Sequence, residues 1–393
     1  MYDLLLKHGR VIDPAQRLNA VADVAVEAGR IAAVAPAISE AEARRVIEVK
    51  GKIVTPGLID PHVHIYEGVT AFGIDADTVG VRSGVTAIAD AGSSGPYTFG
   101  GIPKYIMPHI ATDLFLFVNI ARVGMAMNPE IESSRDIDLD AAIQVVAENK
   151  GLVRGVKARI VSPNVDALGM ELPRLALKVA RETGTRAMFH IGHNAGTFSP
   201  QFIRQLLPEL QKDDIITHIY TDNLGGVLDA DRRLVPEAKA ALERGVWMDV
   251  GAGRTQLGFD AARRIMDQGI VAHSISSDTT SANRAGSVHS FVEMMTRFLA
   301  LGFSLEEVVA MSTVNAARVL GIEATHGSLS SGRRADISVL DLQEGPWTVR
   351  DGMGASLAVG KAVVPVLTVK AGRVFTPDWG PTPWGWTPNP ATS

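Results

Sequence analysis

Between residues 55 and 325 the chain repeats one pattern, a short apolar run followed by a stretch with helical spacing. The runs cover 58–64, 85–90, 114–120, 153–160, 185–191, 214–219, 246–250 and 271–278. Apolar runs of that length alternating with amphipathic stretches call for parallel βαβ units. Eight runs with seven helical spacers between them, and a helix after the last, predict an α/β fold closed as a (β/α)8 TIM barrel. An open doubly wound sheet shares the same pattern. The closing helices are predicted at 287–300, 304–311 and 314–320, the last stopping at Gly321.

The chain ends have a different texture. Residues 3–54 are short alternating runs broken by turn signals such as His8-Gly9-Arg10 and Glu27-Ala28-Gly29-Arg30. That pattern is typical of antiparallel strands. It returns at 335–341, 363–369 and 371–374. Chain termini often lie close together, so both ends are expected to assemble into one small β-sandwich domain. The expected organisation is thus 1–54 and 326–375 as two parts of a β domain, 55–325 as the barrel, and a tail at 376–393. The tail is rich in proline, glycine and tryptophan without an apolar period. It is either disordered or packed through its tryptophans against another subunit, so a homo-oligomer is one expectation.

Composition narrows the function. The 393 residues are 46% hydrophobic and 21% charged, ordinary for a globular enzyme. A formal net charge of −5 offers no basic footprint, which argues against a nucleic-acid partner and leaves a small-molecule substrate. No cysteine is present, which removes disulfides, thiolate ligands and cysteine nucleophiles. No apolar segment has the length of a membrane span, and residues 1–9 carry no signal-peptide pattern, so a cytoplasmic location without membrane partners is expected.

Barrel active sites gather at the C-terminal ends of the strands, and there the candidate chemistry lies. The first run ends Asp60-Pro61-His62-Val63-His64. Alternation along a strand turns His62 and His64 to the same side, where two imidazoles can share a cation. The fourth run contains Gly155-Val156-Lys157-Ala158-Arg159. Lys157 is either a snorkelling rim residue or a buried amine whose lowered pKa lets it capture carbon dioxide as a carbamate. The fifth and sixth runs end on His190 and His218, and the eighth ends on Asp278. One such histidine is ordinarily a hydrogen-bonded structural residue. Five metal-competent positions on four strand ends, plus a lysine on a fifth strand, are not. His8, His109, His289 and His326 are read as structural, and His273, five residues before Asp278, is expected to face a helix.

These residues resemble the amidohydrolase superfamily over almost the whole chain. The likeness rests on the His62/His64 pair, Gly155-Val156-Lys157-Ala158-Arg159, His190-Ile191-Gly192, Asp214-Ile215-Ile216-Thr217-His218 and Ile275-Ser276-Ser277-Asp278, with support from 327–336. Within it the chain looks like the deacetylase-like amidohydrolases, relatives of dihydroorotase and D-aminoacylase. The resemblance implies two divalent metal ions, most simply zinc. His62, His64 and Asp278 hold the first, His190 and His218 the second, and carboxylated Lys157 and a hydroxide bridge them. One departure is that the seventh-strand loop, often Gly-His-Gly in relatives, is here Gly251-Ala252-Gly253.

The implied chemistry is attack of the shared hydroxide on a carbonyl polarised by one metal. Asp278 is the catalytic residue that moves the proton to the leaving group. An amide or ester of a small carboxylate-bearing substrate (deacylase type) is the first expectation, and a lactone or cyclic amide or imide opened as by a dihydroorotase is the alternative. Arg159 is read as a clamp for a substrate carboxylate or as a rim salt bridge. Tyr66 is a donor to the carbonyl oxygen or a packed loop residue, and His193 a substrate contact. A non-catalytic assembly protein is disfavoured by the complete ligand set, and a mononuclear deaminase by Lys157.

Overall fold

In the computed structural model residues 1–193, 201–284 and 286–377 are described. The N-terminal segment forms β1 (Leu4–Asp13), β2 (Leu18–Glu27), β3 (Arg30–Ala35), β4 (Val46–Glu48) and β5 (Ile53–Pro56). Seven strands follow: β6 (Leu58–Val63), β7 (Val85–Ala91), β8 (Asp113–Asn119), β9 (Val153–Arg159), β10 (Arg186–His190), β11 (Ile215–Thr217) and β12 (Trp247–Asp249). The last are β13 (Ile337–Arg350), β14 (Ser356–Lys370) and β15 (Arg373–Phe375).

The two chain ends share one eight-stranded sheet in the order β15-β14-β13-β5-β1-β2-β3, with β4 beside β1. Its hinge is the antiparallel pairing of β5 with β13, Pro56 opposite Ile337. One buried cluster joins the ends: Leu4, Leu6 and Val11 of β1 pack with Ile337, Val339, Leu367 and Val369. The tail beyond residue 377 lies outside the described residues, and so do both readings of it.

Strands β6 to β12 form a curled parallel sheet in strict chain order. Strands covered on both faces are apolar almost throughout, and every residue of β7 is buried. The outward side chains Ile88, Leu116, Val118 and Val156 meet the surrounding helices. The opposite face carries Ile59, Ala87, Ala89, Phe117, Met188 and Ile215, capped by Ala316, Ala317 and Leu320 of the helix Val314–Leu320. That helix stops at Gly321 in the left-handed region (φ 65°), as its sequence predicts. Towards the C-terminal ends of β9, β10 and β11 the same face carries Lys157, level with Met188, and then His190 and Thr217.

Two elements differ from the pattern. The eighth run is not a continuous strand. It touches both edges of the sheet through isolated bridges, Asp249 to Ser274 and Val63 to Thr279. Its backbone bonds run from His273 to Met248 (2.7 Å) on one side and from Asp278 to His62 (2.7 Å) on the other. Ser276 and Ser277 spend their hydroxyls on Asp249 and Asp60, and Asp278 turns to φ 51°, which breaks the ladder. The spacer between β7 and β8 holds no α-helix. It carries a wide turn at Ile102–Ile106 and a tight one at Met107–His109, because Pro103 and Pro108 lack the donors a helix needs. The helix expected from 287 begins at Phe291 behind its cap Ser290, whose hydroxyl accepts from the Glu293 amide. Among the described residues no helix is long and apolar enough to cross a membrane.

Candidate metal centre

At the C-terminal edge of the parallel sheet, one cavity of about 260 Å³ is lined by His62, His64, Lys157, Arg159, His190 and Asp278, together with Phe72, Met125, Arg254 and Asn283. His218 lies against this group, its ring centroid 4.0 Å from His190 and 5.1 Å from His62. Ligand atoms of His62, His218 and Asp278 fall within 4.8 Å of one another. Asp278 Oδ1 is 3.2 Å from His64 Nε2 and 3.4 Å from His62 Nε2. All six candidate ligands therefore converge, although they come from five separate parts of the chain.

The backbone is bent to achieve this. His218 (φ 72°) and Asp278 (φ 51°) both sit in the left-handed region, which costs a non-glycine residue roughly 1–3 kcal/mol. Between them passes the loop after β12. Gly253 comes so close to Asp278 that a Cβ there would stand 2.4 Å from Oδ2, and its own φ is 51°. Only glycine fits that position.

Hydrogen bonds fix which imidazole nitrogen faces the centre. Thr217 Oγ1 donates to Asp249 Oδ2 (2.8 Å), so towards His62 Nδ1 (2.9 Å) it can only accept. His62 therefore carries its proton on Nδ1 and presents the Nε2 lone pair. His218 Nδ1 faces the Gly251 carbonyl at 2.6 Å, which leaves Nε2 deprotonated, buried and without a hydrogen-bond partner. A buried lone pair left this way is costly. The orphaned nitrogen, with a carboxylate and a second imidazole nitrogen beside it, fits a divalent cation. Burial holds His62 and His190 well below the usual histidine range and His218 near 3, so the rings are neutral, as ligation requires.

Lys157 is fully enclosed. Its Nζ lies 3.5 Å from His62 Nε2 and 3.4 Å from Met188 Sδ. Burial pushes the ammonium down to about 7, against the pull of Asp278. The snorkelling reading is thereby removed, because the amine is buried and points inward among the candidate ligands.

Arg159 lines the cavity but is ion-paired through Nη1 with buried Glu130, which also accepts from Asn119 Nδ2 (3.1 Å). Tyr66 is buried and its hydroxyl donates to the Thr98 carbonyl at 2.7 Å, the packed-loop arrangement. His193 follows β10, half-buried, with its amide on the Leu224 carbonyl (2.8 Å). His8 pairs with Glu48, and His273 accepts the Met248 amide. His326 belongs to a second acidic group with Asp113 and Asp336, where Arg334 and Lys370 already supply the cations. The Thr217–Asp249 relay, Glu130 and Arg254 went unrecognised in the sequence. Arg254 directly follows the Gly251-Ala252-Gly253 loop, and that was the available signal.

Partners behind a ligating histidine typically tune metal affinity 10–100-fold. Thr217→Val, which cuts His62 from Asp249, is expected to weaken metal binding within that range while circular dichroism stays native. Competition with a chromogenic chelator measures it. Unchanged affinity would leave the relay without a role in ligation.

Neutral imidazoles, an inward carboxylate and a buried amine around one cavity define a hydrolase that works with divalent metal ions. Comparison with known proteins agrees. The chain belongs to the Amidohydrolase family, whose profile matches residues 53–375. It is 30% identical over 329 residues to a deacetylase of Agrobacterium fabrum, covering 83% of this chain and 79% of that protein. Among solved structures, an adenine deaminase superposes with a TM-score of 0.87 at 27% identity, over 96% of this chain and 100% of that one. A dihydroorotase gives 0.86 at 26% identity, over 96% and 98%.

Proposed function

We propose that the protein is a binuclear hydrolase that removes an acyl group, held by an amide or ester bond, from a small carboxylate-bearing substrate. The observation that carries this reading is Lys157, an amine enclosed among the candidate ligands and held near neutrality. A free amine there could add to carbon dioxide with loss of a proton, and the carbamate would supply negative charge beside the cations that the neighbouring histidines and Asp278 would hold. His62, His64 and Asp278 are assigned to one ion and His190 and His218 to the other. Nitrogen and oxygen donors of this kind suit zinc. The described segment at 273–279 is read as the eighth stave of a closed (β/α)8 barrel. Segments 1–54 and 326–375 are read as a separate β-sandwich domain.

When bound, such ions polarise a carbonyl and lower the pKa of a water towards roughly 7. The protein's own part is positional. Thr217 and Gly251 orient His62 and His218, and Gly253 leaves room beside Asp278. Asp278 takes the proton of the attacking water and delivers it to the leaving atom. Arg159 lines the cavity and His193 follows β10 three residues after His190, and both are assigned to substrate contact, whereas Tyr66 reaches substrate only by leaving Thr98. The deacetylase likeness supports acyl transfer to water. Ring opening of a cyclic amide is the second reading, favoured by the near full-length likeness to a dihydroorotase.

Protein produced with added zinc is expected to hold about two ions per chain by elemental analysis. It is expected to hydrolyse members of a panel of N-acyl and O-acyl carboxylates, lactones and cyclic imides. One ion with full activity would sink the binuclear reading. Turnover confined to the rings would select the second substrate class.

A further inference from the structure

Two arginines line the candidate cavity, and they differ in one respect. Arg159 is paired with Glu130, a carboxylate only 5% exposed. A buried acid stripped of its cation is strongly destabilising, so the guanidinium is committed there and the pair is neutral overall. Arg254 is exposed and forms no ion pair with any described residue. Among the described residues, it is the cavity arginine without a carboxylate partner.

The backbone on both sides of Arg254 is fixed. Ala252 and Gly253 donate to the carbonyls of Ser276 and Ser277, each at 3.0 Å, and Asn223 Nδ2 donates to the Thr255 carbonyl at 3.3 Å. Gln256 reaches within 3.5 Å of His190 Nε2. From the outside, the tip of the long β13–β14 hairpin closes on the same loop. The Gly352 amide donates to the Leu257 carbonyl (3.0 Å), and Asp351 Oδ2 accepts from the Phe259 amide (2.8 Å). A Cβ on Gly352 would stand 2.6 Å from the Arg254 carbonyl oxygen, so the contact is as close as backbones allow. The side chain of Arg254 is left to face the cavity from a held main chain, an arrangement that lowers the ordering cost of binding.

We propose that Arg254, rather than Arg159, supplies the positive charge that selects an anionic group on the substrate, and that the β13–β14 hairpin tip positions it. The site would take a small molecule with an anionic head directed at Arg254 and a less polar body against Phe72 and Met125. This rests on the cavity being the substrate site of the proposed hydrolase.

The test measures binding without turnover, on the zinc-loaded full chain. Calorimetry compares benzenesulfonate, an anion that ligates metals weakly, with the neutral methyl phenyl sulfone. Wild-type protein is expected to prefer the anion by about 10–100-fold, the range of a charge-assisted contact. Arg254→Met should abolish that preference, and Arg254→Lys should keep part of it. Gly352→Val, which pushes on the Arg254 carbonyl, should reduce it with Arg254 intact. Circular dichroism and zinc content check that each variant is folded and loaded. No preference in the wild type, or a preference that survives in Arg254→Met, overturns the proposal. Failure of the hydrolysis panel would instead overturn the hydrolase reading and leave this binding result standing.

Discussion

Lys157→Ala is expected to lose most of its bound metal and nearly all activity while keeping a native circular dichroism spectrum. The strand survives because Lys157 contributes to the sheet through its backbone, in register with Asn119 of β8 and Met188 of β10. The side chain is a different matter. An uncharged amine or an ammonium would leave two neighbouring cations repelling each other in a region of low dielectric. A carbamate, as proposed, would offset that repulsion with negative charge. Its removal opens a gap beside His62, and acetate or propionate is expected to enter it and restore part of both metal content and turnover. Lys157→Met separates this from simple packing. If the lysine only fills space, methionine removes a positive charge and metal binding improves. If it bridges, methionine fails like alanine and is not rescued, because the gap is filled. Metals retained in Lys157→Ala would refute the bridge.

Asp278→Asn is expected to lower turnover by at least roughly 10²–10⁴-fold, the usual contribution of a positioned acid–base group. The fold should persist for a local reason. Residue 278 sits at φ 51°, a conformation that asparagine tolerates as well as aspartate, and the Asp278 amide bond to His62 does not involve the side chain. Loss of one anionic ligand will weaken metal binding, so the comparison belongs at saturating zinc, with metal content measured alongside. Near-normal turnover in the zinc-loaded variant would assign proton transfer to another group.

Much of this architecture was legible in the sequence, and the exceptions share a cause. Seven apolar runs became strands within a residue or two of their expected limits, because strands buried on both faces leave little choice of composition. The run at 271–278 is less apolar, with three serines among its eight residues, and these bond to Asp60 and Asp249 on other strands, partners the sequence does not reveal. The spacer at 102–109 shows the same limit from another side. Its prolines were visible, but the regularity of the neighbouring units suggested a helix. The convergence of the candidate ligands was legible because most of them stand at or beside the C-terminal ends of strands, where alternation and position predict direction. Glu130, Thr217 and Arg254 were not, since each acquires meaning only from a contact with another element. Arg159 illustrates the difference. Both of its readings were open in the sequence, and the ion pair with Glu130 is evident only in three dimensions.

The pairing of β5 with β13 has a consequence for how the protein is made. Pro56 and Ile337 are partners in one sheet, and the whole parallel sheet lies between them in the chain. At about 5–20 residues per second, translation separates the two by roughly 15–60 s. During that interval the first five strands have left the ribosome without a partner for one edge. The loop bearing Arg254 likewise waits for Asp351 and Gly352. The strands that carry the candidate ligands are therefore complete before the hairpin that braces the cavity exists. Newly made chains pass through a stage with an exposed sheet edge and an unbraced site, when chaperones and proteases have their best access.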